Sequence, residues 1–149
     1  NPQNEKLIAR LRDCDVHLLV PPTSPKEMKH SVQLALDFVE SKFCPNRRDL
    51  WLLAPADMPQ LSPIVAREVI ELASHSVDEI IVPVHDGRRG HPSAFRWDLA
   101  KQVAFLTEDE GINALFGRHQ VREVELGPAA NPGDIDTPED YRRLLGGES

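Results

Sequence analysis

Leu50-Trp51-Leu52-Leu53-Ala54-Pro55-Ala56-Asp57-Met58-Pro59-Gln60-Leu61-Ser62 is the stretch whose reading decides the fold. Asp49–Ala54 is nearly continuous in apolar residues, the pattern of a parallel strand covered on both faces. The run stops on one acid, Asp57, and Pro59 shapes the turn that follows by pushing the preceding residue away from helix. Open α/β sheets bind ligands beyond the carboxyl ends of their strands, so a lone carboxylate delivered there marks a candidate site. Ser62-Pro63 then opens a helix, with Ser62 as the cap and Pro63 in the first helical position. Ile64, Val65, Val69, Ile70 and Leu72 carry that helix to about His75.

Working upstream, Glu5–Arg12 places Leu7, Ile8 and Leu11 on one helical face, and Val16–Val20 reads as a strand ended by Pro21-Pro22. Met28, Val32, Leu34, Ala35, Leu36 and Val39 follow a helical period to about Lys42. Downstream, Glu79–Val84 is a strand and Asp86-Gly87-Arg88-Arg89-Gly90 a basic turn. His91–Phe95 is a short extended segment, and Leu99–Phe105 and Glu110–Phe116 are short helices. Val121–Leu126 alternates enough to be a strand near an edge. Thr137-Pro138-Glu139-Asp140 opens a last helix, stopped by Gly146-Gly147. Strand and helix alternate, which predicts an α/β fold with a doubly wound, mostly parallel sheet.

The 149 residues suit one domain with a proper core. A net charge of −7 argues against nucleic acid as the main partner, because phosphate-backbone binding needs an excess of Lys and Arg. It leaves a nucleotide open, since a metal can supply positive charge. Cys14 and Cys44 have no metal-ligand spacing and read as reduced thiols. No apolar run approaches the roughly 18 residues that span a bilayer, so the expectation is a cytoplasmic protein. The chain opens Asn1-Pro2-Gln3-Asn4, without Met and without a first strand, and reads as the body of a longer protein.

Three places can carry chemistry. Asp57 either binds Mg²⁺, which takes oxygen ligands shared with substrate phosphates, or caps its turn. Asp134 and Asp136 alternate around Ile135; one of them can complete a metal site with Asp57, or both serve the helix start after them. Arg88-Arg89-Gly90-His91-Pro92 either clamps an anion between guanidiniums or is a solvated hairpin tip. Lys26, Lys29, His30 and Ser31 surround the start of the second helix, where a solvated face is the plainer reading. No G-x-S-x-G elbow, P-loop or G-x-G-x-x-G fingerprint is present.

Leu53-Ala54-Pro55-Ala56-Asp57-Met58-Pro59, Gly90-His91-Pro92 and Asp134-Ile135-Asp136-Thr137-Pro138-Glu139-Asp140, in that order, resemble the motifs of the MobA-like nucleotidyltransferases. That family includes the molybdenum-cofactor cytidylyl- and guanylyltransferases. Glu108-Asp109-Glu110-Gly111 with Ala114-Leu115 and Arg118-His119, and Met28 with Ser31, resemble it too. The likeness runs from about Val16 to Leu145.

The resemblance implies a Rossmann-like three-layer α/β/α nucleotidyltransferase domain filling residues 1–149. It implies transfer of a nucleoside monophosphate, from CTP or GTP, to a phosphorylated acceptor such as a molybdopterin-type cofactor, with release of pyrophosphate. Asp57 and Asp136 would be the catalytic Mg²⁺ ligands. Ser31, Met58, Pro59, Arg89, Gly90, His91 and Pro92 would lie by the substrates. The partners would be a nucleoside triphosphate and the acceptor, with no nucleic acid or membrane, on a monomer or homodimer.

Two departures stand out. The family's opening LAAGxSxRxGxxK loop and first strand are not in this sequence, and its Gly-Met turn reads Glu27-Met28-Lys29-His30, which alters the acceptor pocket. A non-catalytic nucleotide-binding or regulatory module, and a sugar-phosphate nucleotidyltransferase on the same fold, remain as alternatives.

Overall fold

The computed structural model describes residues 2–58, 61–127 and 142. Three α-helices are present among them: α1 (Glu5–Arg12), α2 (Met28–Phe43) and α3 (Pro63–His75). Five strands join them: β1 (Leu50–Leu53), β2 (Ile80–His85), β3 (Arg88–Arg89), β4 (Ser93–Arg96) and β5 (Val121–Glu125). Trp97–Phe105 and Ile112–Gly117 are helical as expected, but both are of the tighter 3₁₀ type. α3 begins as its sequence dictates, with Ser62 Oγ accepting from the Val65 N–H at 3.5 Å and Pro63 in the first turn.

The sheet corrects the expectation of a mostly parallel arrangement. β4 pairs antiparallel with both β1 and β2, β3 pairs antiparallel with β2, and among the described strands only β5 on β2 is parallel. The cause is local. Asp86 and Gly87 both take positive φ (51° and 71°), making a two-residue reversal between β2 and β3. A reversal that short can only send the chain back antiparallel. β3 and then β4 therefore run down one edge of β2, and β4 enters the sheet between β1 and β2. β1, β2 and β5 still point the same way, so the strands read as parallel in the sequence do share a direction. β5 borders β2 alone among the described strands and alternates in exposure, as an edge strand does.

Val16–Val20 is not a strand. It begins in a bend, has no regular structure after it, finds no ladder partner among the described residues, and leaves Val16, Leu19 and Val20 exposed. His17 instead anchors it on α2, with its ring against Phe38 and Phe43 at 5.3 and 5.7 Å. Apolar content alone does not make a strand without a neighbour to take its N–H and C=O groups.

Period-two alternation sends alternate residues of β2 to opposite faces. Ile80 and Val82, with Trp51 and Phe95, pack under Val32 and Leu36 of α2 and under Leu99, Val103, Ile112 and Leu115 of the 3₁₀ segments. Trp51 stacks on Phe95 at 4.2 Å between centroids, and Phe95 on Phe116 at 5.9 Å. On the other face Ile81 and Ala94 meet Val65, Val69 and Ala73 of α3. Helices on both faces leave the loops at the strand ends as the places where backbone and polar side chains stay accessible. Cys14 and Cys44 are free and exposed. Among the described residues no helix is long and apolar enough to cross a membrane.

Candidate functional site

A cavity of about 320 Å³ opens at the carboxyl end of β1. Leu53 and Pro55 form one side, Arg89, Gly90 and His91 a second, and Met28 of α2 with Ile112, Asn113 and Phe116 a third. Its floor is Phe95. The site exists because β4 lies beside β1: the hairpin that carries Arg89 and His91 is thereby held against the end of β1.

Arg89 and His91 are each aimed by specific contacts. His91 Nδ1 lies 3.2 Å from the Leu53 carbonyl oxygen. A carbonyl only accepts, so Nδ1 carries the proton and the neutral ring has Nε2 as an acceptor. Arg89 Nε donates to Glu123 Oε1 at 2.7 Å, and its guanidinium lies over the Phe116 ring at 4.8 Å. The ion pair and the stacking fix the plane of the guanidinium while its two terminal amino groups have no partner of their own among the described residues. Gly90 is buried and donates to the Pro83 carbonyl at 2.8 Å, pinning the turn that carries both side chains. Pro92 is buried behind His91, and the bond between them is cis.

The other sequence candidates fall in different places. Asp57 sits two residues beyond Pro55 in the turn after β1, exposed, without a hydrogen-bond or ion-pair partner among the described residues. Met58 is buried and its carbonyl accepts from the Leu61 N–H at 3.2 Å. Ser31 is exposed on the first turn of α2, beside the cavity rather than in its lining. Pro59, Asp134 and Asp136 lie outside the described residues, as does the helix read from Thr137 on. Among the described residues no three His, Cys, Asp or Glu side chains gather into a metal cluster. Asp57 nonetheless offers two uncommitted hard oxygens, the donor type that Mg²⁺ or Mn²⁺ takes.

Lys29 corrects the solvated-face reading. It is buried, and its ammonium donates to the carbonyls of Thr107, Glu108 and Glu110 at 2.5, 2.8 and 2.9 Å and pairs with Glu27 at 3.0 Å. The Lys29 ammonium holds the Glu27 carboxyl below its ordinary range. Glu110 is likewise lowered, first by the Thr107 N–H it accepts at 3.0 Å and then by Arg118. Lys29 was assigned to solvent, and Asn113 and Phe116 were not singled out, because what places them lies far away along the chain; the Met28-Lys29 departure from the family turn was the one available signal.

A larger, open cleft of about 950 Å³ lies at the amino ends of β1 and β2, around Arg47, Arg48 and Arg96. It sits at the opposite end of the strands from where α/β sheets place ligands. Arg96 is occupied there, donating to the Arg48 and Ser76 carbonyls.

Mixed sheet, helices on both faces and a cavity bearing Arg89 and His91 at a strand end make this an α/β domain with a ligand-sized site where such sheets place one. Residues 1–124 match the MobA-like NTP transferase domain, and the chain belongs to that family. It resembles the crystal structure of Rv0371c from Mycobacterium tuberculosis H37Rv at 31% identity and a TM-score of 0.68, over 83% of this chain and 62% of that one. The manganese complex of Rv0371C from the same organism matches at 33% identity and a TM-score of 0.61, over 78% and 60%. Molybdopterin-guanine dinucleotide biosynthesis protein A from Archaeoglobus fulgidus shares the fold at 18% identity and a TM-score of 0.67, over 99% and 75%. The chain thus spans about 60% of the length of the Rv0371c structures. Among curated protein sequences there is no significant match.

Proposed function

We propose that this chain is the body of a divalent-metal-dependent nucleotidyltransferase. On this reading it moves a nucleoside monophosphate, from CTP or GTP, to a phosphorylated acceptor such as a molybdopterin-type cofactor. An acceptor phosphate oxygen bonds to the α-phosphorus, the bond from that phosphorus to the bridging oxygen breaks, and pyrophosphate leaves with the electron pair. The observation that carries the reading is the pairing of a free carboxylate, Asp57, with a cavity bearing oriented Arg89 and His91 at the end of the same strand.

In such a reaction charge spreads over phosphate oxygens, so clamping and positioning do most of the catalysis and no protein nucleophile is required. Asp57 and Asp136 would hold Mg²⁺ or Mn²⁺, which would neutralise the triphosphate and act as a Lewis acid. Arg89 would meet acceptor phosphate through its free amino groups, and His91 would accept a hydrogen bond at Nε2. Gly90 and Pro92 would set their placement, and Ser31, Met58 and Pro59 would lie by the substrates, as the family resemblance implies. Residues 1–149 are read as part of one Rossmann-like three-layer domain acting in the cytoplasm.

Calorimetry with CTP, GTP, ATP and UTP, each with Mg²⁺ or Mn²⁺, tests the reading on this chain and on Asp57→Ala. Metal-dependent binding of one nucleotide that disappears in Asp57→Ala supports it. Equal binding by both chains removes Asp57 from the site, and absence of binding by the parent chain overturns the reading for this chain.

A further inference from the structure

Lys29 is the buried charged residue among those described, and its surroundings have an unusual composition. An ammonium normally answers a carboxylate. Here three backbone carbonyl oxygens, of Thr107, Glu108 and Glu110, converge on Nζ at 2.5–2.9 Å, and the Glu27 carboxylate closes the shell at 3.0 Å. Three N–H donors face four oxygens, so the ammonium is fully satisfied. A cup of carbonyls with one acid is also how a dehydrated monovalent cation is held. The loop that carries the carbonyls also has bonds of its own: Glu110 accepts from the Thr107 N–H at 3.0 Å and pairs with Arg118, and the Glu110 N–H donates to the Thr107 carbonyl at 3.1 Å.

The cup joins two walls of the cavity. Met28, next to Lys29, lines one; Ile112, Asn113 and Phe116, just after Glu110, line the other. We propose that Lys29 is a tethered monovalent cation whose seat in the 107–110 loop fixes the spacing of these walls, making it a positioning residue for the cavity. Its bearing on acceptor binding rests on the transferase reading; the cation seat does not. Only a compact cation with N–H donors, or a bare ion of similar radius, fits the carbonyl shell. Arginine's planar fork does not.

The test is the full chain carrying Lys29→Ala, in ammonium, potassium or tetramethylammonium chloride at equal ionic strength. Amide exchange over residues 107–117 and the Arg89 Nε–H resonance, which is sensitive to the Phe116 ring beneath it, are followed. Exchange should accelerate at least about tenfold in tetramethylammonium, the least expected from leaving buried carbonyls unpaired, and return toward the parent value in ammonium or potassium. The Arg89 resonance should shift and return with it. Unchanged exchange, or equal behaviour in all three salts, overturns the cation seat. Restored exchange with an Arg89 resonance that never moved overturns the link to the cavity. If Lys29→Ala does not fold in plain buffer, refolding in ammonium but not in tetramethylammonium supports the seat, and failure in both overturns it. Because no nucleotide is used, failure of the transferase reading leaves each result interpretable.

Discussion

The turn after β1 borders the cavity and the loop 107–110 leads into its Ile112–Phe116 wall, and the two treat their polar groups in opposite ways. In the first, Asp57 is exposed with no partner among the described residues. In the second, Lys29, Glu27, Glu110 and Arg118 are all paired, and three carbonyls are taken by one ammonium. Satisfied polar groups rigidify a frame, whereas an unsatisfied exposed carboxylate costs nothing in water and remains available for a ligand. The contrast separates what holds the cavity from what is proposed to work beside it.

Lys29→Met should break the contrast most. It strands three part-buried carbonyls, and an unsatisfied buried acceptor costs about 1–3 kcal/mol; urea unfolding checks this. Asp57→Ala should do the converse. Its stability should stay within about 0.5 kcal/mol of the parent, as for surface changes generally. Metal-dependent nucleotide affinity should fall at least about 10–100-fold, the loss typical even of residues that only support a ligand. A destabilised but fully binding Asp57→Ala would reverse the roles assigned to the two loops. Ser62→Ala, which uncaps α3 at the far end of the Asp57 turn, should cost about 1 kcal/mol in thermal unfolding.

The smallest expected effect is a titration. Glu110 is held below its ordinary value, so its contribution is present in full above about pH 4.5 and fades as pH falls through its lowered folded value. The Thr107 amide resonance should therefore titrate with a midpoint below that of a free glutamate. Glu110→Gln should abolish the step.

Much of the fold was legible because its causes are local. Ser62-Pro63 starts α3, the period from Met28 makes α2, and the apolar run before Asp57 is β1. The Arg89-Gly90-His91 side of the cavity was legible for the same reason: a basic turn beside glycine presents its side chains wherever it packs. Val16–Val20 was misread because a strand is a relation between two segments, and no described strand pairs with this one. The sheet was misread because the reversal at Asp86-Gly87 lets β4 enter between strands that share a direction.

The sequence by itself determined α1, α2 and α3, the places of β1, β2 and β5, and the acid at the end of β1, since these rest on periodicity, capping and turn chemistry within a few residues. Tertiary structure alone decided that Arg89 lies over Phe116 between Glu123 and the cavity, and that a lysine on a helix's first turn is buried among carbonyls 78 to 81 residues away. Charge and hydropathy along a chain say what a side chain prefers, but a buried cation is permitted only where distant backbone supplies its acceptors.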